Sequence, residues 1–125
     1  MRRIEAPGTP RAEQASAYGE LGKLLMAAEF GSAAESCLLN AQALAPDDMR
    51  WPYYLGHLYK AQGATDRSIA AFEDAVRLRP EDVPTLMWLA EGYLAQDQPD
   101  AAEPRFSKAR SLQPAAAARS RTSWW

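Results

Sequence analysis

The sequence predicts an all-α fold, a solenoid of three helix–turn–helix repeats, and three observations predict it. Proline recurs at a fixed spacing of 34 residues, as Pro46, Pro80 and Pro114. The same spacing carries apolar columns: Leu21/Leu55/Leu89, Leu25/Tyr59/Tyr93, Leu38/Phe72/Phe106 and Leu44/Leu78/Leu112. It also carries columns of small residues, Gly22/Gly56/Ala90, Ala34/Ser68/Ala102 and Ala41/Ala75/Ala109. Columns in phase at this period are the mark of a two-helix repeat that buries its apolar face only against its neighbours. Three copies are near the lower limit for a stable stack of this kind.

Counting back from the prolines, the repeats cover 15–48, 49–82 and 83–116. Residues 1–14, with Pro7, Gly8 and Pro10 among charges, read as a flexible lead-in, and residues 117–125 as a tail or degenerate capping segment. In the first copy the turn between helices is expected at Glu29-Phe30-Gly31-Ser32. In the second, Asp47-Asp48 supplies N-cap candidates and Pro52 lies in the first turn, where its missing N–H is harmless. Gly63 ends that helix, and Asp66 is expected to cap the next, whose stripe is Ile69, Phe72, Ala75, Val76 and Leu78 before Pro80. The third copy starts at Glu81-Asp82 and Pro84, turns at Asp97-Gln98-Pro99, and carries Phe106 and Leu112 in its second helix. Helices of about 13 residues are marginal alone, so packing has to hold them. The small residues show how: a side chain at Gly22, Gly56 or Ala90 would keep the paired helix at a distance, and the alanines admit Leu38, Phe72 and Phe106.

Composition narrows the function. The formal net charge is −2, so a nucleic-acid partner, which usually goes with a strongly basic domain, is not expected. The single cysteine, Cys37, excludes an intrachain disulfide and a multi-cysteine metal site, and reads as a small half-buried hydrophobe. Two arginines at the start are followed by no apolar run, so no secretory signal is visible. No segment approaches the roughly 20 apolar residues needed to span a bilayer, and a cytoplasmic location without membrane partners is expected. His57 is the sole histidine, and neither a Gly-rich phosphate loop nor an HExxH or GxSxG motif occurs, so an enzyme is not expected, nor any cofactor. The acidic pairs lie at helix starts, where capping and the helix dipole account for them.

The chain resembles the tetratricopeptide repeat family. The pattern of a leucine–glycine pair, an aromatic three residues later, then a small residue, an aromatic, an alanine and a proline stands here as Leu55-Gly56-His57-Leu58-Tyr59, Ser68, Phe72, Ala75 and Pro80. Ser68 departs from the usual alanine, and no fourth leucine–glycine pair follows Pro114. The resemblance implies a right-handed superhelix whose concave face is lined by the first helix of each pair. That face should present Ser16, Gly19, Lys23 and Met26; then Arg50, Tyr53, His57 and Lys60; then Pro84, Met87, Glu91 and Leu94, with Tyr54 and Trp88 on the flank and Trp51 packed at a repeat junction. Lys23, Arg50, Tyr53, His57, Lys60, Met87, Glu91 and Leu94 are the candidate contacts for a peptide or protein partner. Tyrosine and methionine are common anchors of recognition surfaces, and the lysines and arginine suit an acidic flank on the ligand. The clamp by which one subfamily grips terminal carboxylates is not implied, because Gly19, Pro84 and Trp88 stand where it needs polar or basic groups. The reading is therefore an adaptor that holds a partner in its groove. The alternatives are a homo-oligomer formed through the C-terminal repeat, where Phe106 and Leu112 have no following repeat, and a docking segment of a larger enzyme.

Overall fold

The computed structural model of the chain describes residues 10–113, so Pro114 and the tail with Trp124 and Trp125 lie outside the described residues. Six helices follow one another: α1 (Arg11–Ala27), α2 (Gly31–Leu44), α3 (Arg50–Ala61), α4 (Thr65–Leu78), α5 (Val83–Ala95) and α6 (Pro99–Leu112). They pack chiefly as the hairpins α1–α2, α3–α4 and α5–α6, with α2 against α3 and α4 against α5 as the junctions. The first helix starts at Arg11, inside the segment read as lead-in, and Arg11 Nε donates to the Leu44 carbonyl at 3.1 Å. No helix among the described residues is long and apolar enough to cross a membrane.

Each first helix ends in the same way. Glu29, Gly63 and Asp97, again 34 apart, take positive φ of 65°, 76° and 57°. The N–H groups of Phe30, Ala64 and Gln98 bond the carbonyls of Leu25, Tyr59 and Tyr93 at 2.8–2.9 Å, and those of Glu29, Gly63 and Asp97 bond Met26, Lys60 and Leu94 at 2.9–3.1 Å. This paired pattern is a Schellman cap, in which a left-handed residue lets the chain reverse and satisfies the last carbonyls. The next helix then starts at once, with Gly31, Thr65 or Pro99, so Gly31, Ser32 and Pro99 belong to helices and not to turns.

N-terminal capping agrees with the sequence at one site. Asp82 caps α5, accepting the Thr85 N–H at 3.2 Å, with Pro84 just inside the helix. Asp48 accepts the Arg50 N–H at 3.1 Å, although the cap position itself is Met49. The expected Asp66 cap is overturned: α4 begins after Ala64, and Asp66 sits inside its first turn, accepting from the Gln96 side chain. Standing two residues past the Ala64 cap takes its carboxylate off the cap but keeps it at the positive end of the helix dipole.

Two apolar clusters fill the junctions. Ala34, Leu38, Ala41, Trp51, Leu55, Leu58 and Tyr59 are buried between the first two repeats. Ile69, Phe72 and Leu89 are buried between the second and third. The glycines behave as the pattern requires. A Cβ on Gly22 would stand 2.8 Å from Leu38 Cγ, and one on Gly56 2.6 Å from the Phe72 ring. The serine at position 68 has its own reason, since its buried hydroxyl donates to the Gly56 carbonyl at 2.8 Å and ties the second hairpin together. Trp51 is fully buried, as a junction residue should be, and its Nε1 has no hydrogen-bond partner among the described residues.

Candidate functional site

The first-helix face is organised around His57. Its ring lies edge-on to three others, with centroids 4.7 Å from Tyr53, 5.2 Å from Phe72 and 4.9 Å from Trp88. These residues come from α3, α4 and α5, so the cluster exists only because the second and third repeats stack. Aromatic pairs in such tilted arrangements attract through their quadrupoles beyond simple area burial. Tyr53, His57 and Trp88 are half-buried, and Phe72 forms the floor at 1% exposure. Lys60, one turn beyond His57, sets its ammonium 3.9 Å from the Trp88 ring centroid. Burial and the Lys60 charge together push the His57 pKa below its usual 6.5, so the imidazole is neutral near pH 7. Beside the cluster, Lys60, Thr65, Ser68, Trp88, Glu91, Gly92 and Ala95 line a hollow of about 210 Å³.

The structure sorts the candidate residues. Tyr53, His57, Lys60 and Glu91 meet at the cluster or its adjoining hollow. Trp88, placed on the flank from sequence, is one of the cluster's rings. Arg50 is engaged elsewhere. Its guanidinium bonds Asp48 at 2.6 and 3.1 Å and lies over the Trp51 ring, and the pairing holds the Asp48 carboxyl below the usual range. Lys23 reaches over the Tyr54 ring and lies 3.9 Å from Glu20. Leu94 is exposed at the end of α5. Met87 instead lines a different hollow, with Val83, Glu103, Phe106, Ala109, Arg110 and Gln113. Gly19 is no part of the face: it is buried, and a Cβ there would stand 2.1 Å from the Trp51 ring. The indole of the second repeat occupies the space that glycine leaves in the first. Met26 packs against the first core cluster.

A recurring polar clasp was not visible in the sequence. The Tyr59 hydroxyl donates to Glu35 Oε2 at 2.7 Å, and Arg67 donates to the same oxygen at 2.9 Å while lying over the tyrosine ring. Tyr93, Glu73 and Arg105 repeat the arrangement at the next junction. The tyrosines are 34 apart, but the glutamates and arginines are each 38 apart, shifted by one helical turn. A search at a fixed period therefore misses them. Burial and the nearby carboxylate raise the pKa of both tyrosines.

Metal or thiol chemistry finds little to work with here. Among the described residues no group of three or more His, Cys, Asp and Glu side chains could hold a metal ion. Burial pushes the Cys37 thiol pKa up, which lowers its thiolate fraction.

Three stacked helical hairpins with an aromatic, partly open first-helix face define a helical-repeat protein. The chain belongs to the tetratricopeptide repeat family, whose model matches residues 59–121. Among solved structures it is similar to MamA, at 27% identity and a TM-score of 0.78 over 82% of this chain and 60% of that one. A MamA fragment from Desulfovibrio magneticus RS-1 matches at 27% identity and a TM-score of 0.74, over 79% of this chain and 56% of that one. The chain thus spans about three fifths of the length of the MamA structures it resembles. The first TPR of Spaghetti (RPAP3), solved bound to the HSP90 peptide SRMEEVD, shares the fold at 14% identity, with a TM-score of 0.77 over 83% of this chain and 82% of that one. No curated protein sequence matches the chain.

Proposed function

We propose that this protein is a non-enzymatic adaptor that holds a peptide or protein segment against the first-helix face of its second and third repeats. The observation that carries the reading is the ring cluster of Tyr53, His57 and Trp88, half-exposed beside the Lys60 ammonium and a hollow of about 210 Å³. Rigid rings of this kind supply large contact area at low entropic cost, and they are enriched at the centres of protein interfaces. The ligand this face suits has an apolar or aromatic anchor for the rings and a carboxylate for Lys60, with Lys23 as a second, more distant cation. Arg50 contributes little, because Asp48 already neutralises it.

The same proposal excludes nucleic acid and membrane as partners, which the net charge of −2 supports, and takes the cytoplasm as the compartment. That a protein of the same fold was solved with an acidic peptide is in keeping with the reading. Capture from cell lysate with wild type and a Tyr53→Ala/Lys60→Ala variant side by side tests it. A protein recovered by wild type and depleted at least tenfold with the variant is the expected result, and it should bind the purified wild type directly. Equal recovery of every protein by both forms would remove the face from consideration.

A further inference from the structure

Beyond the aromatic face, we propose that the hollow between α5 and α6 is the seat of helix α1 from a second copy of this chain, so that copies join head to tail as a continued stack. The hollow, about 550 Å³, is lined by Val83, Met87, Glu103, Phe106, Ala109, Arg110 and Gln113. Its residues repeat, at 34 and 68 residues, positions that already seat a helix twice in this molecule. Phe106 corresponds to Leu38, which packs in the cluster with Trp51, Leu55, Leu58 and Tyr59 of α3. It corresponds equally to Phe72, which packs with Leu89 of α5. Among the described residues nothing occupies the third seat.

The other end of the molecule presents the matching surface. Leu24 on α1 stands where Leu58 stands on α3; Leu58 is 4% exposed against the preceding repeat, whereas Leu24 is 68% exposed. Side-chain volumes also complement one another. At the first junction Trp51 fills the space over Gly19, a large residue against none. Continued by one interval, the same pair becomes Ala17 of the second copy against Met87, which is 39% exposed and projects into the hollow. The large residue has changed sides, and the summed volume still fits a single junction. Such an interface is heterologous: it uses two different surfaces and leaves one of each free after every addition, so growth is open-ended.

Multi-angle light scattering of the full chain across a concentration series tests this. The expected weight-average mass rises above the 13.8 kDa monomer as concentration increases. Leu24→Glu and Met87→Glu, both at exposed positions, should each give monomers with unchanged circular dichroism. Mixed in equal amounts they should form a dimer and stop, because one intact junction remains between the two variants. Tyr53→Ala/Lys60→Ala should leave association as in wild type, which separates failure of this proposal from failure of the aromatic-face reading. A monomer mass at every concentration, the result also expected if residues after Gln113 cover the hollow, would overturn the proposal. So would variants that fail to pair when mixed, or a Leu24→Glu chain that associates like wild type.

Discussion

Glycine, glutamate and aspartate fill one left-handed turn position in three copies, at Gly63, Glu29 and Asp97, and the physics of that position separates them. A Cβ at positive φ crowds the following carbonyl, at a cost of about 1 kcal/mol that glycine escapes. Among the described residues nothing lies within 4 Å of a Cβ built on Gly63, so space is not the issue there and only backbone strain is. Glu29→Gly and Asp97→Gly should each stabilise the fold by about 0.5–1 kcal/mol, and Gly63→Ala should destabilise it by about 1 kcal/mol, as read by urea unfolding. Gly19 shows the opposite case, where crowding by Trp51 decides. His57 is the residue on which environment acts most visibly. As the sole histidine it gives a single NMR titration, and the midpoint should fall below 6.5 because burial and Lys60 both disfavour its charged form. Its folded pKa is depressed, so the unfolded chain binds the proton more readily. Stability should therefore decline as pH falls below about 6.5 and level off below the folded pKa. A midpoint at or above 6.5 would show that the ring is not packed among Tyr53, Phe72 and Trp88.

The six helices draw their lengths and ends from local signals, and their mutual order from the junctions. Local signals were legible: the prolines stop α2 and α4, Asp82 caps α5, and the small columns sit where α1 meets α2 and α3 meets α4. Asp66 lies two residues past the cap at Ala64, because helix starts after a Schellman turn are set by the reversal and not by the nearest carboxylate. The clasps Glu35–Tyr59–Arg67 and Glu73–Tyr93–Arg105 bind one repeat to the next through hydrogen bonds to a charged acceptor. They are partly exposed, so each tyrosine hydroxyl is expected to contribute about 1 kcal/mol. Both tyrosine pKa values are raised on folding, which makes their contribution complete below the unfolded value of about 10 and lost as pH climbs past it. A Tyr59→Phe/Tyr93→Phe variant should accordingly unfold at lower urea at pH 7, and lose less further stability than wild type between pH 9 and 11.

At the scale of the whole molecule, the stack builds its aromatic face from residues of three helices and, among the described residues, leaves Leu24 exposed in the first repeat and the hollow of Met87 and Phe106 in the third. The proposed binding through the face and the proposed joining through the ends use different residues, so the two should respond to separate variants. The sequence alone determined the class of fold, the number of repeats and the pairing of helices. It could do so because each of these depends on periodicity within one chain: a column at 34 residues reports a repeated environment whatever surrounds it. Only the tertiary structure decided which face residues act together. Arg50 turns to Asp48, Met87 belongs to the end hollow, Gly19 disappears beneath Trp51, and Trp88 joins His57. Those outcomes depend on contacts between helices of different repeats, with offsets such as the 38-residue spacing of the clasps, and side-chain partners across a junction follow three-dimensional stacking and not the interval along the chain.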